Sequence, residues 1–476
     1  MEVVPRQSFI ETFTNQLSLT RILVWGVMGF LGLGIGFLII LEERSYALAL
    51  AMAVPLALLF LTRPFVGVIL WLLTLPFVNA LPNPQVMYWA LHRILIIMTL
   101  GLVVVQYLVK ADKNPLVRLG PPELMMGILA GLVPITIILS QTDTRMPLIQ
   151  YTDRILIPFC MYLIIRLITL DKVELRRLQW TAFFIAASQA IIGFLSWFAP
   201  SVLPHEWLFL AGLHTSGSLE NPNVYAAMLF FCAAIILHAA LSRPPGLIRW
   251  LFLAAFVSSL LCIFLSMERA AWLALAVFVL GLLFVYPKPT LWMIAVCSIV
   301  MLVLGAGILS AQFTRAAARI GEQNQINARI VVTDAMLQMF QEKPVLGWGY
   351  NTLNNFIEQY YRQVGSANIS RTFTTSHNSY LTILTELGLV GLLLYLFPTV
   401  WWLWQTLRVY RWVPRKMFSS WSLVSVLWLA LLANFVISNF MDMRFFPIGL
   451  TVWWLMLGLI ANTIYPYTKS AKIGIN

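Results

Sequence analysis

Runs of about 20 apolar residues, each closed by a cluster of Arg, Lys, Pro or Asn, recur along almost the whole chain, and that is the length a helix needs to cross a bilayer. The pattern predicts an all-α polytopic membrane protein with about fourteen transmembrane helices, within a range of roughly 12–14. Their centres fall near Gly32, Ala53, Leu70, Leu102, Gly131, Pro158, Ser188, Phe231, Phe256, Val277, Val300, Leu393, Leu429 and Leu455. One polar stretch interrupts the series. The chain therefore divides into N-terminal helices over 1–310, a large loop over 311–378 between the eleventh and twelfth spans, and C-terminal helices over 379–476. Within the loop, Val331, Val332, Ala335, Met336, Met339 and Phe340 share one face of a helix over Asn327 to Gln341, which Pro344 stops. Gly347-Trp348-Gly349 then predicts a turn, and Asn351 a cap for a second amphipathic helix carrying Leu353, Phe356, Ile357, Tyr360 and Val364.

Composition excludes a soluble domain: of 476 residues 60% are hydrophobic and 11% charged, with a mean hydropathy of +0.84. The net charge of +12 has a topological explanation and does not imply nucleic acid. Most of the 31 basic residues lie in alternate connections, whereas the opposite short loops hold only Arg44, Arg93, Arg145, Arg269 and Arg444. This asymmetry puts both termini in the cytoplasm and the long loop outside. No cleavable signal opens the chain, and the first span is long enough to act as an uncleaved anchor. Cys160, Cys232, Cys262 and Cys297 all fall in apolar spans, so free thiols are expected, with neither a disulfide nor a zinc site.

The candidate chemistry centres on Ser376-His377-Asn378-Ser379-Tyr380, where the loop enters a span. Ser376 or Asn378 can cap that helix, leaving His377 at its start as either a proton acceptor or an interfacial histidine. Glu386 lies nine residues further on, on the order of 13 Å deeper and on the opposite face, so it needs another partner such as one of the outer arginines. Gly388 and Gly391 permit close helix packing. Arg269, in a very short turn, suits a lipid-linked phosphate or a salt bridge to Glu268. Glu220-Asn221-Pro222-Asn223 reads as a helix cap, or as side chains for sugar hydroxyls or phosphate. Asp153 and Arg154 form a local ion pair, or Arg154 reaches an anionic substrate; Arg93 reads as an interfacial anchor and Asp442 with Arg444 as a surface pair. Trp348, Tyr350, Tyr360 and Tyr361 offer sugar-stacking faces.

Taken in order, Glu220-Asn221-Pro222-Asn223, Ser266 to Leu273, Asn327-Ala328-Arg329 with Pro344 to Gly349, and Ser376-His377-Asn378 leading to Glu386-Leu387-Gly388 resemble the O-antigen ligase superfamily of bacterial membrane glycosyltransferases. That superfamily includes O-antigen ligases, polysaccharide polymerases and protein O-oligosaccharyltransferases, and the likeness spans about Glu220 to Phe397. Glu220 stands where members often have Gly, Glu268 and Ala270 flank Arg269, and no tryptophan follows Arg329. The resemblance implies a fold akin to the GT-C class and metal-independent, cofactor-free transfer from an undecaprenyl-pyrophosphate-linked glycan to a lipid, glycan or protein acceptor, on the outer face of the bacterial cytoplasmic membrane. In such a reaction Arg269 and Arg329 hold the pyrophosphate and His377 takes the acceptor proton, with inversion at the anomeric carbon. Asn221, Asn223, Arg154, Asn378, Trp348 and Glu386 complete the expected substrate-binding set. Two other classes compete: a membrane transporter, given the many spans and the intramembrane Asp153, Arg154 and Glu386, and a non-catalytic envelope scaffold.

Overall fold

The computed structural model describes residues 63–81, 83–109, 119–168, 170–208, 214–219, 221–305, 314, 323–361, 376–414 and 420–473. The chain forms two compact units, Met1–Val66 and Gly67–Asn476. The predicted spans at Gly32 and Ala53, both chain ends, Glu220 and Val364 lie outside the described residues.

Every regular element among the described residues is helical. The longer ones, in chain order, are α1 (Phe65–Ala80), α2 (Pro84–Gln106), α3 (Pro121–Ser140), α4 (Arg145–Leu167), α5 (Lys172–Phe198), α6 (Pro222–Leu241), α7 (Leu247–Leu265), α8 (Arg269–Val285), α9 (Pro287–Gly305), α10 (Gln323–Glu342), α11 (Ser379–Val409), α12 (Trp421–Phe440) and α13 (Pro447–Ile473). Each predicted centre from Leu70 onward falls in a helix. Twelve of the predicted centres lie among the described residues, and nine of the described helices are long and apolar enough to cross a membrane. The other three centres fall in α9, which is not among the nine, in α1, which tightens to a 3₁₀ helix from Leu75-Pro76, and in α8, cut short between Arg269 and Tyr286.

α6 is the axis of the bundle. It packs against α5, α7, α12 and α13, and 94% of its apolar window is buried. A helix that is apolar all round has no face to give to solvent, and six alanines between Ala226 and Ala240 let its neighbours approach closely. Asn221 starts it as predicted, its side chain accepting from the Asn223 N–H at 2.8 Å, with Pro222 in the first turn.

The polar loop builds its own small core. Val331, Val332, Ala335, Met336 and Met339 are buried as their spacing predicts, and Val332, Ala335, Met336 and Met339 join Leu353 and Ile357. The expected Asn351 cap is not made: Asn351 adopts φ +62° in the turn and Thr352 takes the cap position.

That loop is stitched into α11 where α11 breaks. Gly388, at φ +65° and ψ −168°, interrupts the helix and exposes backbone groups on both sides. The segment Pro344 to Gly349 supplies their partners. Leu389 N–H donates to Pro344 O (2.8 Å) and Val390 N–H to Val345 O, while Trp348 N–H donates to Thr385 O (3.1 Å) and Gly349 N–H to Glu386 O (2.8 Å). A Cβ on Gly347 would meet the Glu386 carbonyl and the Gly388 nitrogen, and one on Gly388 would meet Val345 and Leu346. Gly388 thus serves a backbone-to-backbone junction and a positive φ, where its predicted role was helix packing. Gly347→Ala and Gly388→Ala are each expected to cost about 1–3 kcal/mol, read as a lower melting temperature in detergent. Gly101→Ala, with open space at its Cβ, is the matched control.

Candidate active site

The start of α11 is organised by Asn378. Its Oδ1 accepts from the Tyr380 and Leu381 N–H groups at 3.0 and 2.9 Å, which is the predicted cap. Thr382 Oγ1 donates to the Asn378 carbonyl at 2.8 Å and to Ser376 Oγ. His377, between these two anchored residues, is held at φ +50°, a left-handed conformation uncommon for a residue with a side chain. Met267, just before Arg269, is held likewise at φ +57°.

Three separate segments meet His377 around one cavity of about 650 Å³. The first turn of α8 contributes Arg269, Ala270 and Leu273; α10 contributes Arg329, Ile330, Thr333, Asp334 and Leu337; and α12 ends there with Asn439 and Phe440. The α10 residues follow a spacing of three to four, so one helical edge carries them all. Asp334 is steadied by Gln338, whose Nε2 donates to it at 2.7 Å.

The electrostatics suit an anion. Burial lowers the Arg329 pKa, and the nearby Arg269 charge lowers it further, with Glu268 opposing. Two guanidiniums close enough to repel one another form a charged pocket that a phosphate group would relieve. Burial and then Arg329 push the His377 pKa below its ordinary value, while Asp442 pulls it back up. The imidazole is therefore neutral at neutral pH and available as a base.

Asp442 answers a question the spacing of Glu386 left open, namely which acid sits near His377. The Ser376 hydroxyl donates to Asp442 Oδ2 at 3.2 Å. Asp442 is in turn gripped by Arg444, from Nε to Oδ1 at 3.0 Å and from Nη2 to Oδ2 at 2.9 Å, and Arg444 Nη1 reaches Glu386 Oε2 at 2.8 Å. Burial would raise the Asp442 pKa, but Arg444 outweighs it and holds the carboxyl below the usual range. The predicted surface pair is thus a buried one, Asp442 being 1% and Arg444 3% exposed. The reason is the tuck of their turn against α11: Met443 N–H donates to Ser379 Oγ, whose hydroxyl donates to Met441 O. Glu386 has the outer arginine its depth required.

Other predicted residues lie elsewhere. Asp153 pairs with Arg93, not Arg154: Arg93 Nε and Nη2 donate to its two oxygens at 2.6 and 2.7 Å. Consecutive helical residues do not face each other, whereas π-helical turns at Trp89–Ile94 and Thr152–Leu156 bring Arg93 and Asp153 together across two helices. Arg93 is therefore a buried ion-pair member, where an interfacial anchor was expected. Arg154 lies over the Phe445 ring at 4.5 Å, beside the Asp442 turn. Asn221, Asn223, Trp348 and Glu386 are not on the wall of the His377 cavity. Trp348 packs 4.9 Å from Phe356, donates to Met339 O and carries Lys343 over its ring. Its stacking surface is used by the loop itself. Glu268 lies 3.4 Å from His214 Nδ1, a histidine that also faces Ser266 O.

Sequence reasoning passed over Thr333, Asp334, Asn439 and Phe440, and it undervalued Asp442. The available signal was the turn itself: an acid and an arginine two residues apart between two spans, on the side where arginines are scarce. Cys160, Cys232 and Cys262 are free thiols, and the Cys297 side chain lies outside the described residues. Among the described residues no three His, Cys, Asp or Glu side chains gather as a metal site.

No curated protein matches the chain. A family model described as O-antigen ligase does match, over residues 254–396, a segment that contains Arg269, Arg329, His377 and the broken helix at Gly388. Residues 254–396 are thus similar to the O-antigen ligase family, the superfamily that the ordered motifs of the chain resemble.

Proposed function

We propose that the protein transfers a glycan from an undecaprenyl-pyrophosphate-linked donor to an acceptor hydroxyl on the outer face of the bacterial cytoplasmic membrane. The observation that carries this reading is the single cavity lined by Arg269, Arg329 and His377, all within the segment matched to the O-antigen ligase family. The two arginines hold the pyrophosphate and take up the charge that develops on it as the glycosidic C–O bond breaks. His377 removes the acceptor proton as that oxygen attacks the anomeric carbon from the opposite side, so the configuration inverts. The leaving pyrophosphate departs with the bonding electron pair. Nothing in this sequence of events calls on a metal or cofactor. Asn378 acts through the backbone, fixing the helix start from which His377 projects.

Purified protein supplied with the lipid-linked donor tests the arginines. Arg269→Ala and Arg329→Ala are each expected to weaken donor binding about tenfold or more, because a hydrogen bond to a charged group contributes roughly 1.5–3 kcal/mol. Arg269→Lys keeps the charge, loses the bidentate fork and falls between. Unchanged donor affinity in both alanine variants would remove the phosphate role.

A repeat-unit polymerase would use the same three residues, and the product separates the two: a regular ladder for polymerisation, one discrete addition for ligation. The two acids that prompted the transporter reading are otherwise engaged, Asp153 by Arg93 and Glu386 by Arg444. Substrate uptake by proteoliposomes without glycan transfer would restore that reading.

A further inference from the structure

A second cavity, of about 530 Å³, shares no lining residue with the one at His377. Its size falls in the range of ligand sites, roughly 300–1,000 Å³. It lies where α2, α6 and α13 begin, with Leu75, Val78, Trp89, Leu219, Val224 and Phe446 among its walls. We infer that this cavity binds the apolar chain of a membrane lipid.

Three observations lead there. The charged group on the wall, Arg93, and the hydroxyl of Ser218 are already committed. Arg93 gives Nε and Nη2 to Asp153, making a charge-neutral unit, and its guanidinium lies 4.8 Å from the Trp89 ring. Ser218 Oγ donates to Pro76 O at 2.6 Å and accepts from Gln189 Nε2 at 2.7 Å. A sugar or a free anion needs donors and acceptors that are not so engaged, whereas a hydrocarbon chain needs only apolar surface. The mouth also faces the right medium. Trp89 lines the cavity and is 54% exposed, on a spanning helix whose outer face carries the exposed Val86, Ile97 and Met98. That face meets lipid tails, so the opening is lateral. Finally, the shape is built in. The π-helical turn at Trp89–Ile94 is clamped to the one at Thr152–Leu156 by the Arg93–Asp153 pair, which fixes the mouth residue Trp89. On the far side Phe445 forms part of the wall while Arg154 covers its ring. Phe445 belongs to the same Met443–Phe445 turn as Arg444, the partner of Asp442 and Glu386, so a bound chain rests against the turn that supports the His377 junction.

The test uses the full-length protein in phospholipid nanodiscs with two photoreactive probes, a glycerophospholipid carrying a diazirine at the end of an acyl chain and a polyprenyl phosphate carrying one on an isoprene unit. Labelled peptides are identified by mass spectrometry. We expect at least one probe to label the buried wall residues Leu75, Val78 or Leu219, and the probe that does so identifies the chain as acyl or isoprenoid. Val224→Trp and Ile448→Phe fill the cavity from different walls and should each lower that labelling about tenfold by occupying the volume. Labelling at the outward-facing Leu139, 81% exposed, should stay unchanged. Labelling by both probes confined to outward surfaces such as Leu139 and Phe284 overturns the assignment, as does cavity labelling that neither substitution reduces. Should a variant fail to fold, the wild-type labelling pattern decides alone. No glycan transfer is required at any stage, so this result and the fate of the His377 reaction are read separately.

Discussion

His377→Asn should lower glycan transfer by about 10²- to 10⁴-fold, the usual contribution of a positioned general base, while leaving donor binding and the melting temperature close to wild type. Asparagine is the apt replacement because it tolerates the left-handed backbone that His377 adopts at φ +50°, so loss of the imidazole is not confounded with loss of the turn. The pH profile sharpens the test. Burial and Arg329 depress the His377 pKa, so the neutral, base-competent form persists as pH falls and the acid limb of kcat/KM should lie below the ordinary imidazole value of about 6.5. Asp442 raises that pKa, and Asp442→Asn should move the limb to lower pH. Arg329→Gln should move it the other way, on top of its effect on donor binding. An acid limb at or above about 6.5 in the wild type, or full activity in His377→Asn, would remove the base assignment.

Arg444→Ala should be the most destabilising single change in the region. It leaves the carboxylates of Asp442 and Glu386, 1% and 3% exposed, buried without their counter-charge. Breaking a buried pair in this way costs about 3–5 kcal/mol, because the abandoned charge stays desolvated. Adding Glu386→Gln to Arg444→Ala should recover part of the loss by removing one of the two orphaned charges. Thermal unfolding in detergent reads both effects. A melting temperature for Arg444→Ala equal to wild type would mean that the three groups do not act as an ionised cluster. Transfer activity should also fall in the single variant, since Asp442 reaches the His377 junction through Ser376.

The sequence by itself determined the elements and the chemical inventory of this protein. Helix positions from Leu70 onward were legible because apolar run length reports directly on what the bilayer demands. The buried face of α10 was legible because one side of a 3.6-residue repeat must find a core. His377 and Arg269 stood out because polar groups at membrane depth or at a helix end need a reason to be there, and Arg329 through the resemblance of Asn327-Ala328-Arg329 to the O-antigen ligase superfamily. The Asn378 cap is a local property of four consecutive residues and needed no structure to foresee.

Tertiary structure alone decided which of these groups meet. Arg269, Arg329 and His377 are dozens of residues apart, and only the packing of α8, α10, α11 and α12 puts them on one cavity wall. Asp153 chose Arg93 over its sequence neighbour because helix geometry turns neighbours away from each other. Asp442 and Arg444 became a buried cluster because their turn folds against the start of α11. The break at Gly388 escaped the pattern for the same reason: its open backbone groups are satisfied by a segment about 40 residues earlier, Pro344 to Gly349, and a partner at that separation leaves no trace in local periodicity.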